Sequence, residues 1–583
     1  MLLLGVCNAN DSGACLVRDG EIVAAANEER FVRKKNISTF PQESIRYVLS
    51  SQGVSIRDID WVGCGAWCGI DSNTTLYRLF EDVVDQIDHA QSDTKEHLLD
   101  RIRVTISRDS DQKQNLLQGL QSMGVSPEKV IFCDHHYSHA ITAFYCSPFE
   151  EAYVFTADGR GDFRSVSLWH GTRSGGMKLI DFATELTSPG AMYGFITNLL
   201  GFIPDRHEGK VTGLSARGRL TEVFQILKSG FWFDQKIGKI RSRIGDFYRP
   251  SLSAKMPKLA EKLSAFSRED IAFAAQKLLE EILTGFLMKY IKSNPARSVN
   301  LCLAGGCMSN VKLNYEISEL SPVKNIYVFP QMGDGGNALG GAIHAELTKG
   351  EKRYFALPTV YLGPEYQELE ILQVLEAQSL PFVKVSSAEK VDRTVEWLMQ
   401  GKIVGWFQGR MEYGPRALGA RSILASAQNT GITQILNRCL HRSDFMPFAP
   451  VTIREYASTC FVGWNEDQTA SRFMTTCYKC TPYMMEKCPA VVHVDNTARP
   501  QVVFREDNPE YYEVVKSYIE RTGFPALINT SFNHHEEPIV NNPSDAVRSL
   551  LKGNVDVLIA GNFMVSALSG KGSIQVGESA VSV

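Results

Sequence analysis

The segment DHHYSHA at 134 to 140 places His135 and His139 four residues apart, and Asp158 closes the apolar run AYVFTA. On a helix an i, i+4 pair projects two imidazoles from one face, and a strand-end Asp followed by Gly brings a carboxylate towards them. Two nitrogens and a hard oxygen suit a divalent ion such as Fe, Mn or Zn better than Ca or Mg. The competing reading is a His-rich helix end whose rings only satisfy backbone groups. The four-residue spacing together with the downstream Asp favours the metal.

Four glycine-rich turns offer a second kind of chemistry. Asp11, Ser12 and Gly13 lead into the hairpin GACLVRDGEIVAAANEER, and Asp158, Gly159, Arg160 and Gly161 lead into DFRSVSLWHG. Such turns let backbone amides and a bound cation approach phosphate. A third, LAGGCMSN at 303 to 310, follows a strand and opens a helix whose N-terminal amides suit a nucleotide. The fourth, QMGDGGNALGGA at 331 to 342, carries Asp334 just beyond the strand NIYVFP. Two strand, acidic-glycine turn, strand units, one per half, are what an actin-like or sugar-kinase-like phosphate-binding fold requires.

The elements that must position these groups alternate short β-rich runs with amphipathic helices, which predicts α/β layers. Strands are expected at LLLGVC, GACLVRD, EIVAAAN, AYVFTAD, SVSLWHG, VNLCLAGG, NIYVFP, KIVGWFQG, PAVVHVD and PALINTS. Helices are expected at SIRYVLSSQG, from Thr75 to Ile106, and over REDIAFAAQKLLEEILTGFLMKYIKS with Ser267 as cap. The charged, Pro- and Gly-containing stretch at 348 to 368 marks the main boundary and divides the chain into domains 1–355 and 365–583, the last dozen residues reading as a weak tail.

At 583 residues the chain is long enough for two domains with separate cores. A net charge of -4 gives no general attraction to nucleic acid or anionic membrane, so phosphate binding must be local. The run MLLLGVCNAN is too short for a signal peptide and no apolar segment approaches about 18 residues, so a soluble cytoplasmic protein is expected. The 13 cysteines read as buried thiols in a reducing compartment, including Cys477, Cys480 and Cys488, for which no second CxxC or His pair completes a zinc site.

The ordered set HHxxHA, TADGRGD, EGKVTGLSA, LAGGCMSNVKLN and GDGGNALGGA resembles the catalytic subunit of tRNA threonylcarbamoyltransferase. The second half, QGRMEYGPRALGARSIL, FMPFAP, HVDNTARPQ and LINTSFNHHEEPIV, resembles the O-carbamoyltransferases of antibiotic and nodulation-factor biosynthesis. The resemblance covers nearly the whole chain. It implies a duplicated actin-like (ASKHA) N-terminal domain joined to a YrdC-like α/β domain, with carbamoyl phosphate as donor, ATP with Mg as activator and a hydroxyl of a small natural product as acceptor.

Carried over by residue, the resemblance implies a metal site at His135, His139, Asp158 and Asp334, with Fe(II) favoured. Lys35 would contact adenylate or acceptor. Glu208, Gly209 and Lys210 would form an EGK turn, and Gly305, Gly306 and Asn310 would face the nucleotide. For the donor, a small dianion, guanidinium forks hold phosphate oxygens better than ammonium groups do. Arg416, Arg442 and Arg499 are therefore its candidates, ahead of Arg410 and Arg421, which are expected to face solvent or pair with carboxylates. Asn529, Thr530, Ser531 and Asn533 offer hydrogen bonds to the carbamoyl amide or phosphate.

The sequence departs from that pattern at Asn10, where many relatives carry a His read as the general base, and at KKN in place of KH. Asn cannot serve as a base near neutral pH, which leaves Asp11 or His136 as the base, or a late loss of the acceptor's proton with metal assistance. These departures are similar to the branch acting on macrolactams and on guanidinium toxins of the saxitoxin type. The alternative function is an actin-fold nucleotide-dependent small-molecule kinase, which leaves the His pair and the arginine-rich half without a task. A homodimer is a further expectation.

Overall fold

The computed structural model describes residues 1–68, 73–87, 94–245, 248–249, 256–292, 298–350, 355, 357, 359–441 and 448–566. Arg442, the first three residues of the FMPFAP segment and the C-terminal tail lie outside the described residues. The N-terminal part holds two five-stranded sheets. The first has the order β3-β2-β1-β4-β5, built from β1 (Leu2–Cys7), β2 (Gly13–Arg18), β3 (Glu21–Asn27), β4 (Trp61–Cys64) and β5 (Val130–Phe132). The second runs β8-β7-β6-β11-β12, from β6 (Glu151–Gly161), β7 (Arg164–Thr172), β8 (Gly176–Thr184), β11 (Val299–Ala304) and β12 (Val323–Val328), with the hairpin β9 (Phe231–Asp234) and β10 (Lys239–Ser242) apart from it.

The two orders are the same once counted within each half. In both, three antiparallel strands are followed by two parallel ones on the other side of the first. This repeat is the duplicated actin-like architecture. Alternating apolar strands such as LLLGVC are buried on both faces, because helices cover each side of the sheets. The helix Arg268–Ile291 fills the space between elements of the second half, with Ser267 capping it through a hydrogen bond from Asp270 N.

Two helices tie the halves together. His135–Tyr145 follows β5 of the first sheet yet packs on β6 and β11 of the second, whereas Asn337–Lys349 follows β12 and returns to β1 and β4. The return is a backbone-to-backbone approach: a Cβ on Gly63 would lie 1.9 Å from Gly341 O. Glycine is needed at that crossing to let helix and sheet touch.

The C-terminal part is one eight-stranded mixed sheet of order β13-β22-β21-β14-β15-β20-β16-β19. Its strands are β13 (Phe382–Lys384), β14 (Val404–Phe407), β15 (Arg421–Ser426), β16 (Ala449–Ile453), β19 (Gln501–Val503), β20 (Leu527–Ser531), β21 (Val557–Ala560) and β22 (Phe563–Ser566), beside the small pair β17 (Tyr478–Lys479) and β18 (Thr497–Ala498). The connecting segment lies on the first sheet, where Ala25 N donates to Leu362 O at 3.1 Å.

Three expectations are corrected. The helical stretch from Thr75 onwards divides into Asn73–Ile87 and Thr94–Ser122. PAVVHVD contains no strand: Pro489–Val491 is a short 3-10 turn, and the following residues run as a loop to the C-terminal cleft. The TADGRGD turn is the bulged end of β6, with a register shift between Ala157 and Gly161; the reversal falls at Asp162 and Phe163, both left-handed.

Candidate active site at the junction of the halves

The crossing helix delivers His135 and His139, β6 delivers Asp158, and the turn before the returning helix delivers Asp334. Asp134 caps the crossing helix by accepting from Tyr137 N at 2.8 Å, which fixes where the two imidazoles begin. His135 Nε2 lies 3.4 Å from Asp334 Oδ1 and 3.9 Å from Asp158 Oδ2; His139 Nε2 lies 3.2 Å from Asp158 Oδ2 and 3.5 Å from Asp334 Oδ1.

These four groups fit a cation, and the sign of it is the unmet need of His135. His135 is completely buried, and neither of its ring nitrogens has a hydrogen-bond partner among the described residues. Burial alone would lower its pKa, yet the charges of Asp334 and Asp158 raise it to about 9. Burial likewise opposes ionisation of Asp158, but the two imidazoles hold its carboxyl well below the usual range. The pocket is therefore built for positive charge at its centre, and His₂Asp₂ is a donor set for a divalent transition metal.

Several neighbours keep the ligands in place. Gly306 N donates to Asp158 Oδ2 at 2.9 Å, and Asp162 accepts from His135 N at 2.9 Å. Trp67, absent from the sequence expectations, stacks on His135 with ring centroids 6.4 Å apart and carries Arg108 and Arg160 each 4.6 Å from its own ring. No local signal marks Trp67, because its partners arrive from other elements. At Gly161 a Cβ would sit 2.0 Å from His135 Cδ2. Gly161→Ala is expected to displace the ring and weaken metal binding by roughly 10- to 100-fold, the size of a disturbed supporting shell; competition with a chelator, on protein whose circular dichroism is native, measures it.

Asp11 is left-handed at φ 55 beside this cluster, its Oδ2 accepting from Gln331 Nε2 at 2.7 Å and its Oδ1 without a partner among the described residues. Burial, followed by the charge of Glu29, raises its carboxyl to about 7. His136 is completely buried with Nδ1 2.8 Å from Thr156 Oγ1, and burial holds its pKa well below that of a free imidazole. Asn310 caps the helix Val311–Ser318 and exchanges hydrogen bonds with Gln276, so its amide is engaged. Gly305 holds φ 96.

A cleft of about 340 Å³ opens between the two parts of the chain. Its N-terminal wall includes Lys35, Gly209, Lys210 and Ser309, the last three residues beyond Gly306; its C-terminal wall includes Arg416, Arg499, Asn529 and Ser531. Glu208 begins the helix Glu208–Ser215 and is raised to about 7 by burial. Burial and the adjacent Arg499 push Arg416 far down, and burial lowers Arg499 to about 10. Neither arginine meets a carboxylate among the described residues; Arg416 reaches only Ser309 O at 3.4 Å. Asn529 donates to Gln501 Oε1 at 2.6 Å and to Ala417 O at 3.1 Å, leaving Oδ1 unmet, and Ser531 Oγ donates to Asn533 Oδ1 at 2.5 Å.

Arg421 departs from its expectation. It is fully buried and donates to the carbonyls of Gln408, Gly409 and Pro364 while lying 3.8 Å over the Phe407 ring. Arg410 is a strut from the C-terminal part to Val23 O at 3.0 Å and Leu362 O at 2.7 Å. Cys477, Cys480 and Cys488 are buried free thiols. No helix among the described residues is long and apolar enough to cross a membrane.

Residues 3–343 match the family model for the carbamoyltransferase N-terminus, and residues 395–567 that for the carbamoyltransferase C-terminus. Nodulation protein NolNO of Sinorhizobium fredii is 32% identical over 578 residues, covering 95% of this chain and 79% of that protein. The 3'-hydroxymethylcephem-O-carbamoyltransferase of Streptomyces clavuligerus is 27% identical over 449 residues, covering 73% and 81%. Among solved structures, component A of the (R)-2-hydroxyglutaryl-CoA dehydratase of Acidaminococcus fermentans aligns with a TM-score of 0.35 at 14% identity, over 60% of this chain and 98% of that one. The actin-like assignment rests on the repeated strand order rather than on that alignment. Because the two matched regions follow one another in the order of the two parts they describe, the chain belongs to the carbamoyltransferase family and is a carbamoyltransferase.

Proposed function

We propose that this enzyme carbamoylates a hydroxyl of a small natural product, drawing the carbamoyl group from carbamoyl phosphate by way of an ATP-dependent carbamoyl adenylate. The observation that carries the reading is the Arg416–Arg499 pair, two guanidinium groups facing one cleft, neither of them paired with a carboxylate among the described residues. Desolvated like charges are unfavourable unless an anion joins them, and carbamoyl phosphate is a small dianion with oxygens spaced for guanidinium forks. Asn529 Oδ1, a buried acceptor in the same wall, suits an N–H of the carbamoyl group.

In this scheme water cleaves carbamoyl phosphate to carbamate and inorganic phosphate. A carbamate oxygen then attacks the α-phosphorus of ATP and pyrophosphate leaves with Mg. Lys35 and Lys210 supply positive charge to the adenylate on the opposite wall, and the Gly305–Gly306 turn lets backbone approach its phosphate. The acceptor hydroxyl finally attacks the carbamoyl carbon, AMP leaves, and the hydroxyl proton passes to Asp11 Oδ1. His136 is the weaker base, since its Nδ1 is taken by Thr156 in a closed core. A divalent metal held by His135, His139, Asp158 and Asp334, for which we favour Fe(II), would polarise the carbamoyl carbonyl and the phosphate.

Purified protein given ATP, Mg and carbamoyl phosphate is expected to release pyrophosphate and AMP only when carbamoyl phosphate is present, followed by mass spectrometry. Release that ignores carbamoyl phosphate would refute the scheme. Asp11→Asn is expected to preserve that release while lowering transfer to the acceptor by about 10² to 10⁴, the usual worth of a general base.

A further inference from the structure

A second group of ligating side chains meets in the cleft, away from the His₂Asp₂ cluster: His207, His535 and Glu536. It joins the two parts of the chain, since His207 and Glu536 are separated by 329 residues. His207 Nε2 lies 2.6 Å from Glu536 Oε1, and His535 Nε2 lies 3.2 Å from the same oxygen. The spacing alone would suit a cation, but the surroundings do not. Ile203 N donates to His207 Nδ1 at 3.2 Å, which puts the lone pair on Nδ1 and the proton on Nε2. A metal-ligating imidazole has the reverse arrangement, donating from the nitrogen that does not bind. Lys210 Nζ already stands 3.3 Å from His535 Nε2, and Arg206 Nη1 stands 3.9 Å from Glu536. The His207–Glu536 contact is a hydrogen bond across the seam.

The bond holds something that moves with His207. Its carbonyl accepts from Lys210 N at 2.8 Å and Val211 N at 3.4 Å, so the ring and the Glu208–Lys210 turn travel together. On the other side the loop bearing Glu536 is anchored beyond it, where Arg33 donates to Pro538 O at 2.9 Å and Ile539 O at 2.6 Å. Asn533 Nδ2 ties the loop to itself through Glu537 O at 2.8 Å. Glu536 nevertheless adopts φ 66, a left-handed conformation that glycine would take without strain. Strain of this kind persists where the surrounding structure fixes the residue.

We infer that Glu536 is a positioning residue which, through His207, holds the Glu208–Lys210 turn closed on the cleft and shields the carbamoyl adenylate from water between its formation and its transfer. This rests on the reaction by way of carbamoyl adenylate proposed above. The event it suppresses is hydrolysis, in which water attacks the carbamoyl carbon, AMP leaves, and the carbamic acid formed breaks down to carbon dioxide and ammonia.

The test uses the full chain with ATP, Mg and carbamoyl phosphate and no acceptor, following pyrophosphate by quenched flow and amide hydrogen exchange by mass spectrometry. The wild type should give a burst followed by a slow steady phase limited by hydrolysis. Glu536→Gly, which relieves the backbone, should keep the burst and raise the steady phase by about tenfold, the worth of one charge-assisted hydrogen bond. Exchange in residues 203–210 should quicken in parallel. Glu536→Gln still accepts the His207 hydrogen bond and should stay near wild type in both readouts. A steady phase in Glu536→Gly equal to wild type overturns the shielding role. If the wild type releases no pyrophosphate, the reaction scheme fails instead. Unchanged exchange at 203–210 overturns the hold on the turn whatever the chemistry.

Discussion

Arg499→Ala should lower carbamoyl-phosphate-dependent pyrophosphate release by about 10² to 10⁴, because leaving one partner of a poorly hydrated charge pair without the other costs about 3–5 kcal/mol. The donor dianion would then face Arg416 alone on that wall of the cleft. Lysine at 499 should recover part of the loss, since it restores charge but not the planar fork. Stability should respond in the opposite sense. In the free protein Arg499 is desolvated, pushed down to about 10, and meets no carboxylate among the described residues. Removing it takes away an unfavourable neighbour of Arg416, so the melting temperature of Arg499→Ala should equal or exceed that of the wild type. Such opposition between stability and activity marks a binding group rather than a structural one. A variant within threefold of wild-type release, or one that melts earlier with proportionate loss, would remove Arg499 from the donor site.

What the sequence revealed and what it hid divide along the range of the interactions. Seven of the ten strands in the two N-terminal sheets are local patterns of apolar residues and were readable; Trp61–Cys64 and Val130–Phe132 are too short to carry a pattern, and Gly176–Thr184 was missed as well. The four metal-type residues were readable too, two by helical spacing and two by their place after strands, with family likeness needed for Asp334. The arginines proposed for the donor sat in recognisable motifs. PAVVHVD misled because its apolar run has strand character, while Pro489 and the route to the cleft impose a loop. Arg421 misled because a buried arginine satisfied by carbonyls leaves no pattern in neighbouring residues; only the fold brings Gln408, Gly409 and Pro364 around it. The seam was hidden for the same reason. NHHEEP reads as a polar loop until His207, from the other part of the chain, is placed against Glu536. Contacts whose partners are hundreds of residues apart carry no periodicity to detect.

His139→Ala should separate the two parts of the reaction. The variant should lose its bound metal and lower carbamoyl transfer by about 10³ or more, since a metal polarising a carbonyl contributes several kcal/mol. Pyrophosphate release in the absence of acceptor should persist, because the arginine wall is untouched. Transfer is followed on whichever hydroxylated metabolite the wild type is found to carbamoylate, and metal content by elemental mass spectrometry. The geometry says the four residues act as a unit: each imidazole stands within 4 Å of both carboxylates, and the ring nitrogens of His135 have no other partner among the described residues. Groups that serve one centre are non-additive when removed together. The double variant His139→Ala/Asp158→Asn should therefore transfer about as slowly as His139→Ala alone, since one missing ligand already empties the centre. Multiplying losses would mean that Asp158 has work independent of the metal, such as holding Gly306 N and with it the nucleotide turn. Loss of pyrophosphate release in His139→Ala would mean that adenylation needs the metal as well, and the division of labour between the two walls would have to be redrawn.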